Sequence, residues 1–267
     1  MIPKLKNVLD ELEKVAPTWL AEQWDNPGLQ VGSYSQEVTK IFLALDATSE
    51  VLRSACKHKA QLLLTHHPLI FKPLSCLEID TYPGNVIFNA AKSGISIVAL
   101  HTNLDAAREG INDILACLMD LQHVEVLKEV NGVEYVGMGR IGDLTKPTRL
   151  SVVVEETKRI LGADKLIVVG EGDAEISRVA VAGGAGASLA PLAFKKGADL
   201  LVTGDVTYHR ALEAEAIGIA LIDGGHFHTE KTAFRIFAEH LKEIVCNQGW
   251  EVEVDVDEGQ KNPMHDF

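Results

Sequence analysis

KIFLALDATSEVLRSACKHKAQLLLTHH, residues 40–67, decides how this chain folds. An apolar run, IFLALD, leads into a segment of helical character, and a second apolar run, QLLLT, stops at the pair His66-His67. Short apolar runs separated by a helix-length segment read as buried parallel strands joined by a crossover helix. Moved forward by 138 positions, the stretch meets RVAVAGGAGASLAPLAFKKGADLLVTGD, residues 178–205, without a gap. Eight of the 28 positions are identical: Ala44, Ala47, Ala55, Lys57, Ala60, Leu62, Leu63 and Thr65 meet Ala182, Ala185, Ala193, Lys195, Ala198, Leu200, Leu201 and Thr203. Internal repetition of a strand-helix-strand unit predicts an α/β fold of two related, interlocked lobes.

Working outward, a helix near 84–93 and the strand SIVAL (96–100) continue the alternation, and GIALIDGGH offers the matching strand of the second unit. Ahead of the repeat, Leu5, Val8, Leu9, Leu12 and Val15 share one helical face, and AEQWDNPGLQVG is turn-rich. RLSVVVEE and DKLIVVGEG read as strands opening the second unit. Near the C-terminus, Ala233, Phe234, Ile236, Phe237, Leu241 and Ile244 form a helical apolar face, and WEVEVDVD alternates as a half-buried strand does. Assigning that strand to the first lobe makes residues 1–126 plus 216–267 one α/β lobe and 127–215 an inserted pseudo-repeat.

Bulk properties narrow the function. A chain of 267 residues, 46% apolar and 24% charged, is an ordinary folded protein able to bury a sizeable core. No apolar run is long enough for a membrane span, and MIPKLKNVLDELEKV lacks a leader's apolar core, so the expected location is cytoplasmic. Cys56, Cys76, Cys117 and Cys246 occur singly, as reduced structural residues do. A net charge of −13 argues against a broad nucleic-acid surface, and an anionic substrate would need local positive charge such as bound divalent ions.

Three donor clusters each follow an apolar run: His66-His67, then His101 with Asp105, then His226 with Glu230. Parallel α/β sheets place their sites beyond the C-terminal strand ends. Four imidazoles and two carboxylates suffice for two transition-metal ions and exceed the needs of one tetrahedral ion. Pro68 disfavours helix at His67, and adjacent residues on extended backbone point opposite ways, so one ion per imidazole is expected there. His101/Asp105 and His226/Glu230 are each four apart, a spacing that joins two side chains on one helical face. Zinc, iron, manganese, cobalt and nickel all suit such donors, and Glu230 or Asp105 would bridge the pair of ions. Under the proposed boundaries all six donors belong to the first lobe. His209 is a candidate contribution from the second lobe; His228 reads as a surface residue or one supporting the ligands, and His58, His123, His240 and His265 as structural or solvated. Gly183, Gly184 and Gly186, between a strand and a helix, have two readings: backbone N–H groups that hold a phosphate, or small residues that allow tight strand-helix packing. Asp46, at another strand end, is a candidate acid beside the ligands.

WDNPGLQVG (24–32), LALDAT (43–48), LLTHHPLIF (63–71), HTNLD (101–105), GMGRIGDL (137–144), VAGGAGAS (181–188), TGDVTYH (203–209) and DGGHFHTE (223–230) together resemble the type 2 GTP cyclohydrolase I homologues, the Nif-three-like proteins. The resemblance spans nearly the whole chain. It implies two α/β lobes with a dinuclear metal site in the cleft between them, and a toroidal homohexamer. It places the metal ligands at His66, His67, Asp105, His226 and Glu230, with His101 near the ions as proton shuttle or orienting residue. The family name implies attack of metal-activated water on the guanine ring of GTP, giving dihydroneopterin triphosphate and formate. The family often has a tyrosine or histidine with small residues between the last two ligands; this chain has Phe227-His228-Thr229. A two-metal phosphoesterase, and a metal-binding regulatory or interaction protein without catalysis, are the rival readings.

Overall fold

The computed structural model describes residues 1–130 and 132–264; His265 therefore lies outside the described residues. In chain order the first elements are α1 (Leu5–Val15), β1 (Gly28–Val31), β2 (Lys40–Ala44), α2 (Ser49–Lys57), β3 (Leu62–Thr65), α3 (Gly84–Ser93) and β4 (Ser96–Ala99). Next come α4 (Thr102–Ala106), α5 (Ile111–Leu118), β5 (Gln122–Glu129), β6 (Gly137–Arg149), α6 (Leu150–Leu161), β7 (Ile167–Val169), β8 (Glu175–Val181), α7 (Ala190–Lys195) and β9 (Leu200–Thr203). The chain closes with α8 (Tyr208–Ile217), β10 (Ala220–Asp223), α9 (His226–Asn247) and β11 (Glu253–Val256).

Two compact units emerge: residues 1–104 with 234–267, and residues 105–233. The first holds a five-stranded sheet ordered β1-β4-β3-β2-β11, in which β1 alone is antiparallel. Its core gathers Phe42, Ala44, Val51, Leu52, Ala55, Leu63, Val86 and Ile97 between sheet and helices. The second unit holds a six-stranded sheet ordered β5-β6-β8-β9-β10-β7, with β8, β9 and β10 parallel and β7 an antiparallel edge strand. Its core draws on Leu127, Ile141, Ala180, Ala193, Leu201 and Leu221.

The duplication reaches further than 28 residues. Each unit runs helix, antiparallel edge strand, then three parallel strands separated by helices: α1-β1-β2-α2-β3-α3-β4 in one, α6-β7-β8-α7-β9-α8-β10 in the other. Register repeats as well, since Ile41 faces Leu62 and Val179 faces Leu200, both pairs related by the 138-residue shift. Gln61 Oε1 accepts from the backbone of Thr39 and Lys40, each at 2.9 Å; Asp199 Oδ2 accepts from Ser177 and Arg178 at 2.8 and 2.9 Å, the corresponding positions. The shared identities track packing: Ala55, Ala193, Leu62, Leu63, Leu200 and Leu201 are wholly buried, and small alanines let each helix close on its sheet.

Three expectations need correction. RLSVVVEE is not a strand but the start of α6, whose buried face is Leu150, Val153, Thr157 and Leu161. The run of valines suggested β structure, yet the spacing of those buried residues is helical, and burial of one face outweighs weak β-branched propensity. The turn-rich AEQWDNPGLQVG contains β1, which pairs with β4. Finally, the units divide at 104/105 and 233/234, so the boundaries drawn at 127 and 215 fall inside the second unit. The reason is sheet membership: β5 pairs with β6, and β10 with β9 and β7, which ties 122–129 and 220–223 to the second sheet. As expected, β11 pairs in parallel with β2.

Candidate metal centre

Each donor cluster follows the C-terminal end of a strand. In the first unit β3 and β4 run in parallel, with Thr65 opposite Ala99, so His66 and His101 leave adjacent strand ends. Ligand-capable atoms of His66, His67 and His101 lie within 4.8 Å of one another. Alternation along an extended strand predicted His66 and His67 pointing apart; β3 instead ends at Thr65, and a bend at His66-His67 keeps the two rings 5.0 Å apart.

Every one of these rings is held through Nδ1. His66, fully buried, has Nδ1 2.8 Å from the carbonyl of Leu100. A carbonyl only accepts, so the proton sits on Nδ1 and the lone pair on Nε2. His67 Nδ1 lies 2.8 Å from Asp46 Oδ1, and Gln260 Nε2 donates to Asp46 Oδ2 at 2.7 Å. His101 Nδ1 lies 2.8 Å from Asp25 Oδ1, while Asp25 Oδ2 accepts from the Thr102 backbone at 3.1 Å and from the Thr102 hydroxyl. Burial opposes ionisation of Asp25, but hydrogen bonds from His101 and Thr102 together prevail and hold its carboxyl below the ordinary range.

Asp105, His226 and Glu230 lie in the second unit, so, contrary to the expectation from the sequence, the six candidate donors do not all belong to the first. His226 opens α9 and Glu230 sits one turn on, with Nε2 and Oε1 3.2 Å apart, as the four-residue spacing predicted. Asp205 Oδ2 takes His226 Nδ1 at 2.7 Å, and Glu230 is only 2% exposed. The glycine turn shapes this pair. Gly184 has φ +59°, a left-handed conformation, and a Cβ there would run into Glu230 Oε1 and come within 3.2 Å of His226 Nε2. Asn112 links the turn to the next donor, accepting from Gly183 N and donating to the carbonyl of Asp105, each at 2.9 Å.

Of the two readings of that turn, close packing is the one its hydrogen bonds favour over a phosphate cradle. Gly183 N donates to Asn112, Gly184 N to Thr229 Oγ1 at 3.1 Å, and Gly186 N to Thr203 Oγ1 at 2.9 Å. These donors are spent on the protein itself, and the turn's role is to leave room for Glu230. Thr229, the last residue between His226 and Glu230, thus braces the turn. His209 is exposed on α8 and, among the described residues, joins no group of metal-compatible donors.

Sequence reasoning found Asp46 and missed Asp25 and Asp205. One signal for Asp205 was available, because the 138-residue shift sets it opposite His67. The donor set fits a divalent transition metal: imidazoles with Nδ1 anchored on carboxylate or carbonyl, and a buried carboxylate with space reserved beside it.

The family described as Duf34/NIF3 (NGG1p interacting factor 3) matches residues 3–263 of this chain. A Clostridium perfringens protein named GTP cyclohydrolase 1 type 2 homolog is 34% identical over 261 residues, covering 98% of both chains. A Helicobacter pylori protein named GTP cyclohydrolase 1 type 2 is 33% identical over 237 residues, 89% of this chain and 91% of its own. The crystal structure of a Bacillus cereus protein related to NIF3 superposes with a TM-score of 0.93 at 26% identity, covering all of both chains.

Proposed function

Because the chain belongs to the Duf34/NIF3 family, we propose that it is a metal-dependent hydrolase whose two divalent ions are held by His66, His67, Asp105, His226 and Glu230. The observation that carries this reading is the common anchoring of four imidazoles. In each, Nδ1 meets an oxygen acceptor 2.7 or 2.8 Å away, which directs the Nε2 lone pair outward as a ligand requires. When bound, such ions supply Lewis acidity and a water acidified toward neutral pH.

This chain's own residues do the rest. Asp46 and Asp205 orient His67 and His226 and raise their strength as donors. His101, fixed by Asp25, presents Nε2 as the atom at which a proton is held and passed on. The substrate is a purine nucleotide, by the name its relatives carry: GTP, opened at the imidazole part of the guanine ring with release of formate and formation of dihydroneopterin triphosphate. The protein works in the cytoplasm as a homohexamer.

Reconstitution with zinc, iron, manganese, cobalt or nickel, followed by metal analysis, should give two ions per chain. Incubation of that protein with GTP should release formate. Phosphate from a phosphoester panel, without formate, would replace this reading by the phosphoesterase. Loss of metal in Glu230→Gln with assembly and cellular phenotype intact would replace it by a regulatory protein.

A further inference from the structure

Two of the larger exposed side chains in the first unit, Trp24 at 58% and Phe71 at 44%, stand together. Their ring centroids are 5.7 Å apart with planes inclined at 54°. Both also flank one imidazole: Trp24 lies 6.0 Å and Phe71 6.4 Å from the ring of His101, each edge-on. Leaving two large apolar rings in water is unfavourable, and a monomer rarely groups them without use.

The segments carrying these rings are tied to each other. Asn26 Nδ2 donates to the carbonyl of Ile70 at 2.6 Å, and Ile70 N donates to Gln30 Oε1 at 3.1 Å. Asp25, between Trp24 and Asn26, holds His101 and Thr102. Three consecutive residues therefore act as one device: Trp24 offers a face, Asp25 sets the imidazole, and Asn26 fixes the loop that carries Phe71. Rings braced this way lose little freedom on binding, which favours a rigid planar occupant.

We propose that Trp24 and Phe71 form the stacking platform that receives the planar heterocycle of the substrate beside His101. The inference rests on the reading of His101 as part of a hydrolytic centre. An aromatic base has the π face that an indole and a phenyl ring can stack on. The carboxylates that hold the neighbouring imidazoles, Asp25 on His101 and Asp46 on His67, disfavour an anionic tail on this side.

The test measures binding of guanosine, GTP and inorganic triphosphate to metal-reconstituted protein by calorimetry. Trp24→Ala and Phe71→Ala should each weaken guanosine and GTP binding about 5- to 100-fold, the range one stacked base supports. Trp24→Phe should restore most of it, and inorganic triphosphate should bind all four proteins equally. Both positions are exposed, so the variants should melt like the parent. Equal losses for triphosphate and guanosine, or no saturable guanosine binding in the parent, overturn the platform. So does a change in assembly size with nucleoside binding unaltered, which would make the rings a contact between copies. If guanosine binding depends on Trp24 but no formate appears from GTP, the platform stands and the cyclohydrolase reading falls.

Discussion

Asp25, Asp46 and Asp205 each take the Nδ1 of one imidazole; Asp46 and Asp205 both lie 21 residues from theirs, whereas Asp25 lies 76 residues away. Asp46 is legible because it closes the apolar run IFLALD, as His66-His67 follow the run QLLLT. Asp25 is not, since nothing local distinguishes it from a turn residue of WDNPG. Asp205 adopts a left-handed φ of 54°, which aspartate tolerates better than most residues. Asp205→Ala should reduce metal affinity about 10- to 100-fold with little change in melting temperature, checked by competition with a chromogenic chelator. Asp205→Asn, which keeps the acceptor oxygen and tolerates the backbone, should lose less. Gly184→Ala should combine a backbone cost of about 1–2 kcal/mol with displacement of the Glu230 carboxylate. Metal content per chain, measured on folded protein, should therefore drop; full occupancy would show that Glu230 has room to move.

At the level of elements, the parallel strands and their crossover helices followed from apolar runs and their spacing, and the registers of β2/β3 and β8/β9 then repeat under one shift. The helix α6 and the strands β1, β5 and β6 were read wrongly or not at all, because short, mixed or valine-rich segments take their state from what they pack against. Strand β6 carries Arg140, 2% exposed, whose guanidinium donates to the carbonyls of Gly137, Gly139 and Ala107 at 2.7, 3.0 and 3.0 Å and pairs with Asp113. Arg140→Ala removes one partner of that network and should cost about 3–5 kcal/mol in urea unfolding. At the other sheet, β11 joins β2 through Asp255, which contacts His58 at 3.0 Å and Lys40 at 3.3 Å. The His58 hydrogen bond is the main reason that the Asp255 carboxyl stays below the usual range; burial opposes it and Lys40 assists. A depressed folded pKa means stability that is complete above about pH 4 and lost as pH falls through the lower folded value. The melting-temperature gap between parent and Asp255→Asn should accordingly be open at pH 6 and narrow progressively as the pH falls below about 4.

For the whole molecule, a net charge of −13 must coexist with a site rich in carboxylates, and bound cations would relieve part of that repulsion. Chelation should therefore lower the melting temperature, and for the proposed hexamer light scattering should report six chains per particle. A monomer at micromolar concentration would remove the hexamer. No helix among the described residues is long and apolar enough to cross a membrane. The amino-acid sequence by itself determined the α/β class, the duplication and the family, and marked six candidate donors, because hydrophobic period, repeat spacing and residue chemistry are carried by the chain locally. Only the tertiary structure decided where the units divide, which carboxylate serves which imidazole, that the glycine turn spends its N–H groups on the protein, and that Trp24, Phe71 and His101 stand together. Those facts depend on strand pairing and close packing between residues distant in sequence, and no local pattern encodes which distant partner a side chain will meet.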